Sequence, residues 1–232
     1  MSEAKAAAPD LGALARRQLH VIIMLDCSGS MAGDRIASLN YALRSSVPEL
    51  KEVAQENPEI EVLVRVLRFA DTAEWMLEKP VPVADWVWED VSAGGDTHLG
   101  AGLEAVRAGL NKETMPGRQL PPVIVLASDG YPSDAFEEGL AAFQSNDFAK
   151  AAVRMAIAIG GDADLEVLQM FINHPSLKPL RANNAPDLVE FIKWATTAPV
   201  KAASSPTGEA DPQAALAGQL KQFNAEETDI VW

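Results

Sequence analysis

Three short apolar runs constrain the fold of this chain more than any other feature of its sequence. They occupy residues 19–25, 123–127 and 153–159, and the first two lead to an aspartate, Asp26 and Asp129. Because polar residues do not alternate with apolar ones in these runs, each is expected to be a strand buried on both faces of a parallel sheet.

Helical spacing of apolar residues separates the three runs. A helix is predicted from about Asp34, with a kink or restart near Ser46 caused by Pro48. Further strands are predicted at 59–69 and 178–181, and an antiparallel edge strand at 74–77. Further helices are predicted at 98–112, at 134–145, around 165–172 and around 188–195. The alternation predicts an α/β fold with a doubly wound, mainly parallel sheet of about six strands and helices on both faces.

The chain divides into three predicted parts. Residues 1–18 form an N-terminal leader, residues 19–198 form the domain, and residues 199–232 form an acidic tail with a possible helical stretch at 212–224. The tail ends in an isoleucine, a valine and a tryptophan, which a purely solvating tail does not need. We expect this tip to dock, either on its own domain or on a partner, so that self-association through the tail is possible.

Composition excludes several classes of function. Nineteen Lys and Arg face 33 Asp and Glu, and the net charge of -14 argues against binding to nucleic acid or to an anionic membrane. No apolar run approaches the ~20 residues of a membrane span, and the expected location is the cytoplasm. One cysteine and three scattered histidines are too few for a Cys- or His-based metal cluster, so a metal site here must be built from oxygen.

Five oxygen-bearing residues follow or flank predicted junctions of strand and loop. They are Asp26, Ser28, Ser30, Thr97 and Asp129. Loops at the carboxyl ends of strands gather over the crevice where the strand order reverses, so these side chains are expected to converge. Carboxylates and hydroxyls are hard donors that suit Mg²⁺ or Mn²⁺. Two carboxylates balance one divalent ion, which leaves it able to bind an Asp or Glu carboxylate of a protein partner.

This pattern resembles the metal-ion-dependent adhesion site of von Willebrand factor A domains, whose motif is D-x-S-x-S followed by a distant threonine and a distant aspartate. The resemblance covers about residues 19–198. It implies that the two serines and the threonine contact the metal directly or through water. The two aspartates are often not direct ligands in this family and lie next to the residues that are.

Within that family the chain is most similar to bacterial TerY-type proteins of tellurium-resistance and stress gene clusters. The stretches that carry this similarity are DCSGSM, GGDTHLGAGL, VIVLASDGYPSD and AIAIGGDADLEVL. The subgroup resemblance implies an intracellular scaffold that works beside kinase-like and phosphatase-like partners.

A binding module is favoured over an enzyme. The nucleophile elbow of a hydrolase needs the pattern G-x-S-x-G, which the loop around Ser28 and Ser30 lacks. A phosphotransferase of the D-x-D type needs an acid at position 28, where this chain has a serine. The alternative is a metal-dependent hydrolase or phosphotransfer enzyme that uses the same ion to activate water.

Overall fold

The computed structural model describes residues 16–117, 119–204 and 213–220. Most of the predicted leader and the apolar tip of the tail therefore lie outside the described residues. Within the described part of the chain, no helix is both long enough and apolar enough to cross a membrane.

Among the described residues, a sheet of seven strands forms the centre of the structure. The strands are β1 Arg17–Asp26, β2 Ile60–Phe69, β3 Ala73–Trp75, β4 Val81–Pro82, β5 Val123–Ser128, β6 Val153–Ile159 and β7 Leu180–Ala182. Their order is β3-β2-β1-β5-β6-β7, and β1, β2, β5, β6 and β7 are parallel. All residues of β5 and β6, and β1 from Leu19 onward, are buried. The α/β fold with five parallel strands is thereby confirmed.

The antiparallel edge of the sheet differs in detail from the prediction. The expected strand at 74–77 is the three-residue β3, and a second short strand, β4, also pairs antiparallel with β2. Prolines at positions 80 and 82 disfavour a strand here, because proline cannot donate a backbone hydrogen bond to a neighbouring strand. Pro82 lies opposite Leu63 at the edge of the sheet, where a residue without a backbone N–H is tolerated.

Helices cover both faces of the sheet. They are α1 Asp34–Glu56, α2 Leu99–Gly109, α3 Phe136–Ser145, α4 Asp147–Ala151, α5 Leu165–Ile172, α6 Ala185–Ser204 and α7, residues 213–220. From β1 the chain moves to β2 on one side, and it later returns to build β5, β6 and β7 on the other. Right-handed crossovers therefore place α1 on one face and α2, α3 and α5 on the opposite face. Helix α6 packs against α1, and α3 packs against α2.

The predicted break in α1 is absent, because the helix runs unbroken from Asp34 to Glu56 with Pro48 inside it. The prediction rested on the backbone cost of an internal proline. Leu39, Leu43 and Leu50 are fully buried on the face that meets the sheet and α6, on both sides of the proline. Packing along this whole face outweighs the lost backbone hydrogen bond.

Part of the segment predicted as tail is packed against the domain. Helix α6 continues through Pro199 to Ser204, and α7 follows after eight residues outside the description. The side-chain amide of Gln213 donates to the carbonyl oxygens of Arg154 and Ile172, at 3.1 Å each. The residues of α7 that are buried are Gln213, Leu216, Ala217 and Leu220.

Candidate metal site

The predicted site lies at the carboxyl ends of β1 and β5, which are neighbours at the point where the strand order reverses. Leu25 pairs with Ala127 in the parallel register, so Asp26 and Ser128 follow side by side. The Ser128 hydroxyl donates to Asp26 Oδ2 at 2.5 Å, and it accepts from the backbone N–H of Gly130 at 2.8 Å. Ser128 thus connects the loop after β1 to the loop that carries Asp129.

The loop after β1 brings its two serine hydroxyls together. Asp26 Oδ1 accepts from the backbone N–H of Ser28 at 2.9 Å, which turns the loop back over the strand end. The hydroxyl oxygens of Ser28 and Ser30 are then 3.0 Å apart. Adjacent ligands of an octahedral ion with bonds of about 2.1 Å are separated by about 3.0 Å. The two hydroxyls therefore have the spacing of neighbouring ligands of one Mg²⁺.

The loop that carries Thr97 is joined to the serine loop through backbone hydrogen bonds. Gly29 N–H donates to the carbonyl of Gly95 at 2.9 Å, and Gly94 N–H donates to the carbonyl of Cys27 at 2.8 Å. A Cβ atom on Gly29 would lie 3.2 Å from that Gly95 oxygen, and Gly95 itself has a φ of 81°. Glycine at these positions allows the two loops to approach closely.

Thr97 is fixed from its other side by the loop after β5. Its backbone N–H donates to the hydroxyl of Ser133 at 2.9 Å, and the backbone N–H of Ser133 donates back to the carbonyl of Thr97 at 2.9 Å. Thr97 is 7% exposed. The three loops that carry the predicted ligands are thus connected into one cluster, while metal binding by their side chains stays a prediction.

Asp129 is completely buried, and only one of its two carboxylate oxygens has a hydrogen-bond partner. Its Oδ2 accepts from Arg35 Nη1 at 3.2 Å. Its Oδ1 is buried without a hydrogen-bond partner. An unpaired buried carboxylate oxygen carries a desolvation cost of about 1–3 kcal/mol or more, which a bound cation or an ordered water would relieve.

The ionisation of Asp26 is opposed by its surroundings. Burial raises the pKa of its carboxyl above the ordinary value, and the nearby negative charge of Asp129 raises the pKa further. The hydrogen bonds from Ser128 and Ser28 act in the opposite direction but do not cancel the effect of burial. A divalent cation would favour the charged form of Asp26.

Two residues beside the predicted ligands have ordinary structural roles. Cys27 is buried, and burial, followed by the charge of Asp26, raises the pKa of its thiol to about 12. The thiol therefore stays protonated, as expected for a small filler under the loop rather than a redox sensor. His98 lies at the rim, with Nε2 3.9 Å from Asp96 Oδ2.

The donor set fits a hard cation. Among the described residues, no three His, Cys, Asp or Glu side chains cluster in a way that could hold a metal, and the site offers two carboxylates with three hydroxyls instead. All five donors are oxygen, which matches Mg²⁺ or Mn²⁺ better than Zn²⁺.

Sequence reasoning missed three residues of the site: Arg35, Ser128 and Ser133. Ser128 precedes Asp129, and Ser133 follows it on the same loop, so their positions alone were a usable signal. Arg35 lies in the first turn of α1, and only the fold brings it to Asp129, 94 residues away.

A doubly wound sheet with a hydroxyl-and-carboxylate cluster at its switch point defines an α/β protein with a candidate site for a divalent cation. The family model of the von Willebrand factor type A domain matches residues 20–193. The chain therefore belongs to the von Willebrand factor type A domain family. A comparison with curated proteins finds no match.

Several solved structures share this fold. The pilus adhesin SpaC of Lactobacillus rhamnosus GG, in an open conformation, aligns with a TM-score of 0.65 and 13% identity over 81% of this chain and 30% of its own. The PilB minor pilin of Streptococcus sanguinis aligns with a TM-score of 0.59 and 15% identity over 82% of this chain and 62% of its own.

A third similar structure contains a bound metal. Proximal thread matrix protein 1 of the mussel byssus, described with a zinc-occupied MIDAS motif, aligns with a TM-score of 0.57 and 16% identity over 78% of this chain and 48% of its own. This chain spans less than two thirds of the length of each of these three structures. At such low identity the likeness shows the fold alone.

Proposed function

We propose that this von Willebrand factor type A domain is a protein-binding module whose contact depends on a divalent metal. Ser28, Ser30 and Thr97 would hold the ion, with Asp26 and Asp129 supplying the balancing negative charge. An Asp or Glu side chain of the partner would complete the coordination. The bound ion would supply a positive centre to which a carboxylate binds.

One observation carries this proposal: the arrangement of oxygen atoms around the serine loop. The hydroxyl oxygens of Ser28 and Ser30 are 3.0 Å apart, the spacing of adjacent ligands on Mg²⁺, and the nearby Oδ1 of Asp129 is buried without a partner. The zinc-occupied MIDAS motif named for the mussel byssus protein supports a divalent metal at the equivalent place in the fold. The all-oxygen donor set favours Mg²⁺ or Mn²⁺ over zinc in this chain.

The proposal assigns Asp26 two tasks. Its charge attracts the cation, and its Oδ1 holds the backbone of Ser28 in place. Both are lost in Asp26→Ala, so the affinity for Mn²⁺ should fall by about 100-fold or more. The matched control is Asp147→Ala, which removes an acid of α4 whose side chain is 96% exposed.

The decisive measurement is Mn²⁺ binding to the full chain, followed by water-proton relaxation and by calorimetry. Wild type and Asp147→Ala should bind with equal affinity, and Asp26→Ala should not bind in the same range. Equal binding by all three would overturn the assignment of the site. Capture of partners with and without EDTA, using the same three proteins, would then test whether contact depends on the metal.

The biological setting is the finer part of the proposal. The TerY-like stretches support a role as a scaffold in a bacterial tellurium-resistance or stress system, in the cytoplasm, beside kinase-like or phosphatase-like partners. We propose binding without turnover. Assays of phosphoesters, nucleotides and carboxylic esters with Mg²⁺ or Mn²⁺ should show no activity. A turnover that disappears in Asp129→Ala would favour the metal-dependent hydrolase or phosphotransfer alternative.

A further inference from the structure

Arg35 places a positive charge directly against the candidate metal site. Its Nη1 donates to Asp129 Oδ2 at 3.2 Å and reaches the carbonyl oxygen of Ser30 at 3.5 Å. Both Ser30 and Asp129 belong to the predicted site. The Arg35 side chain is 28% exposed, so its charge is only partly screened by solvent.

The structure accommodates the Arg35 guanidinium at this position. Its Nη2 forms an ion pair with Asp162, on the loop after β6. Gly160, with a φ of 92°, lies beneath the guanidinium, and a Cβ atom there would be 2.7 Å from Nη2. The hydroxyl of Tyr131 donates to the backbone carbonyl of Asp162 and so holds that loop from the other side. Arg44, on the same helix, instead pairs with an exposed acid, Asp90, at the surface.

Arg35 changes the charge balance of the site in each state of loading. Asp26, Asp129 and Asp162 carry three negative charges and Arg35 carries one positive charge, so the metal-free cluster has a net charge of -2. A divalent ion brings this cluster to neutrality. Without Arg35, the metal-loaded cluster would have a net charge of -1, which would oppose an incoming carboxylate.

We infer that Arg35 shifts the preference of the site from the bare metal toward the metal with a bound carboxylate: it weakens the site for the metal alone and strengthens the metal-loaded site for a carboxylate. This inference rests on the proposed function. Repulsion between the guanidinium and the ion lowers the affinity for the bare ion. Attraction between the guanidinium and the incoming carboxylate raises the affinity of the metal-loaded site for the carboxylate. The ion and the carboxylate also raise each other's affinity, and by linkage they do so by the same factor.

The test measures Mn²⁺ affinity of the full chain with and without acetate, at matched ionic strength. In wild type, saturating acetate should raise the Mn²⁺ affinity about 5-fold or more. Arg35→Gln should bind Mn²⁺ alone about 10-fold more tightly than wild type, and an acetate titration at saturating Mn²⁺ should show that its loaded form binds acetate about 5-fold more weakly. Arg44→Gln removes the same charge from the same helix and should behave as wild type.

Arg35→Lys separates charge from packing. It keeps the positive charge but loses the planar contact with Asp129 and Asp162. It should retain weak binding of the bare ion and the acetate effect. Mn²⁺ and acetate responses of Arg35→Gln equal to those of wild type would overturn the inference, and so would an Arg35→Lys variant that behaves like Arg35→Gln.

The two proposals fail in different ways. If wild type binds Mn²⁺ and Asp26→Ala does not, but Arg35→Gln equals wild type, only the role of Arg35 is wrong. If wild type does not bind Mn²⁺, the proposed function and the inference built on it are both overturned.

Discussion

Strand β1 buries one titratable side chain near its start, His20, and another at its end, Asp26, and the two are surrounded very differently. Burial shifts both pKa values toward the neutral form: that of His20 is lowered to about 4, and that of Asp26 is raised. Both oxygens of Asp26 accept hydrogen bonds. Neither ring nitrogen of His20 has a partner.

The difference shows that burial of a titratable group does not by itself mark a functional site. His20 is paired across the sheet with Leu63 and behaves as an uncharged part of the core. At the Asp26 end, satisfied hydrogen bonds lie beside one buried carboxylate oxygen that has no hydrogen-bond partner, Oδ1 of Asp129. The candidate site therefore differs from an ordinary buried polar group, because hydrogen-bonded neighbours surround an acceptor oxygen that has no partner of its own.

The largest expected effect lies at the His20 end and concerns acid stability. The unfolded imidazole protonates near its ordinary pKa of 6.5, whereas the folded one does so only near 4. The stability that His20 contributes is therefore present above pH 6.5 and is lost as the pH falls toward 4, by about 3 kcal/mol. His20→Leu should lose this part of the pH dependence, as measured by urea unfolding at pH 7, 5 and 4 with chelator present.

The control for this first prediction is Val87→Ala, which changes a non-titrating side chain that is 74% exposed. This variant should keep the wild-type pH dependence. A free energy of unfolding that falls as steeply in His20→Leu as in wild type between pH 6.5 and 4 would show that His20 does not respond to acid as its burial implies.

A smaller effect is expected at the Asp26 end from Ser128→Ala. The variant leaves Asp26 Oδ2 and the backbone N–H of Gly130 without their shared partner. Loss of hydrogen bonds to buried polar groups should lower the free energy of unfolding by about 1–3 kcal/mol. Ser145→Ala, at an exposed serine that ends α3, should change it by less than about 0.5 kcal/mol. Equal stability of the two variants would remove the proposed organising role of Ser128.

The smallest effect is expected from Asp26→Asn in the absence of metal. A buried carboxyl with a raised pKa favours the folded state at low pH, and this advantage is lost as the pH rises through the ordinary value of 3.8 toward the raised one. The amide carries no charge, so Asp26→Asn should be slightly more stable than wild type at pH 7 in chelator, with the difference vanishing in acid. It should also lose Mn²⁺ binding.

Thermal unfolding of wild type and Asp26→Asn in EDTA, at pH 7 and at pH 3.5, measures this difference. A variant less stable than wild type at pH 7 would mean that the hydrogen bonds around Asp26 outweigh the cost of burying its charge. The contrast between the two ends of β1 would then be weaker than the pKa values indicate.

The sequence was sufficient to predict the parallel core and the loops that carry the five oxygen-bearing residues, whereas metal binding by these residues stays a prediction. Long apolar runs such as 153–159 have few alternatives to a buried strand, and β6 has those bounds. Predictions based on local backbone preference were less reliable. Pro48 did not break α1, and Pro82 did not prevent β4, because packing and an edge position outweighed the local cost.

The sequence by itself determined which segments are buried, because burial follows from the periodicity of apolar residues. It also determined which loops meet, because the carboxyl ends of neighbouring parallel strands lie at the same edge of the sheet. Only the tertiary structure decided which side chains face each other across those loops. Arg35 meets Asp129 and Asp162 from a different element, and Gln213 holds α7 against Arg154 and Ile172. Such contacts join residues far apart in the chain through distances of a few ångströms, and no local pattern encodes a distance of that kind.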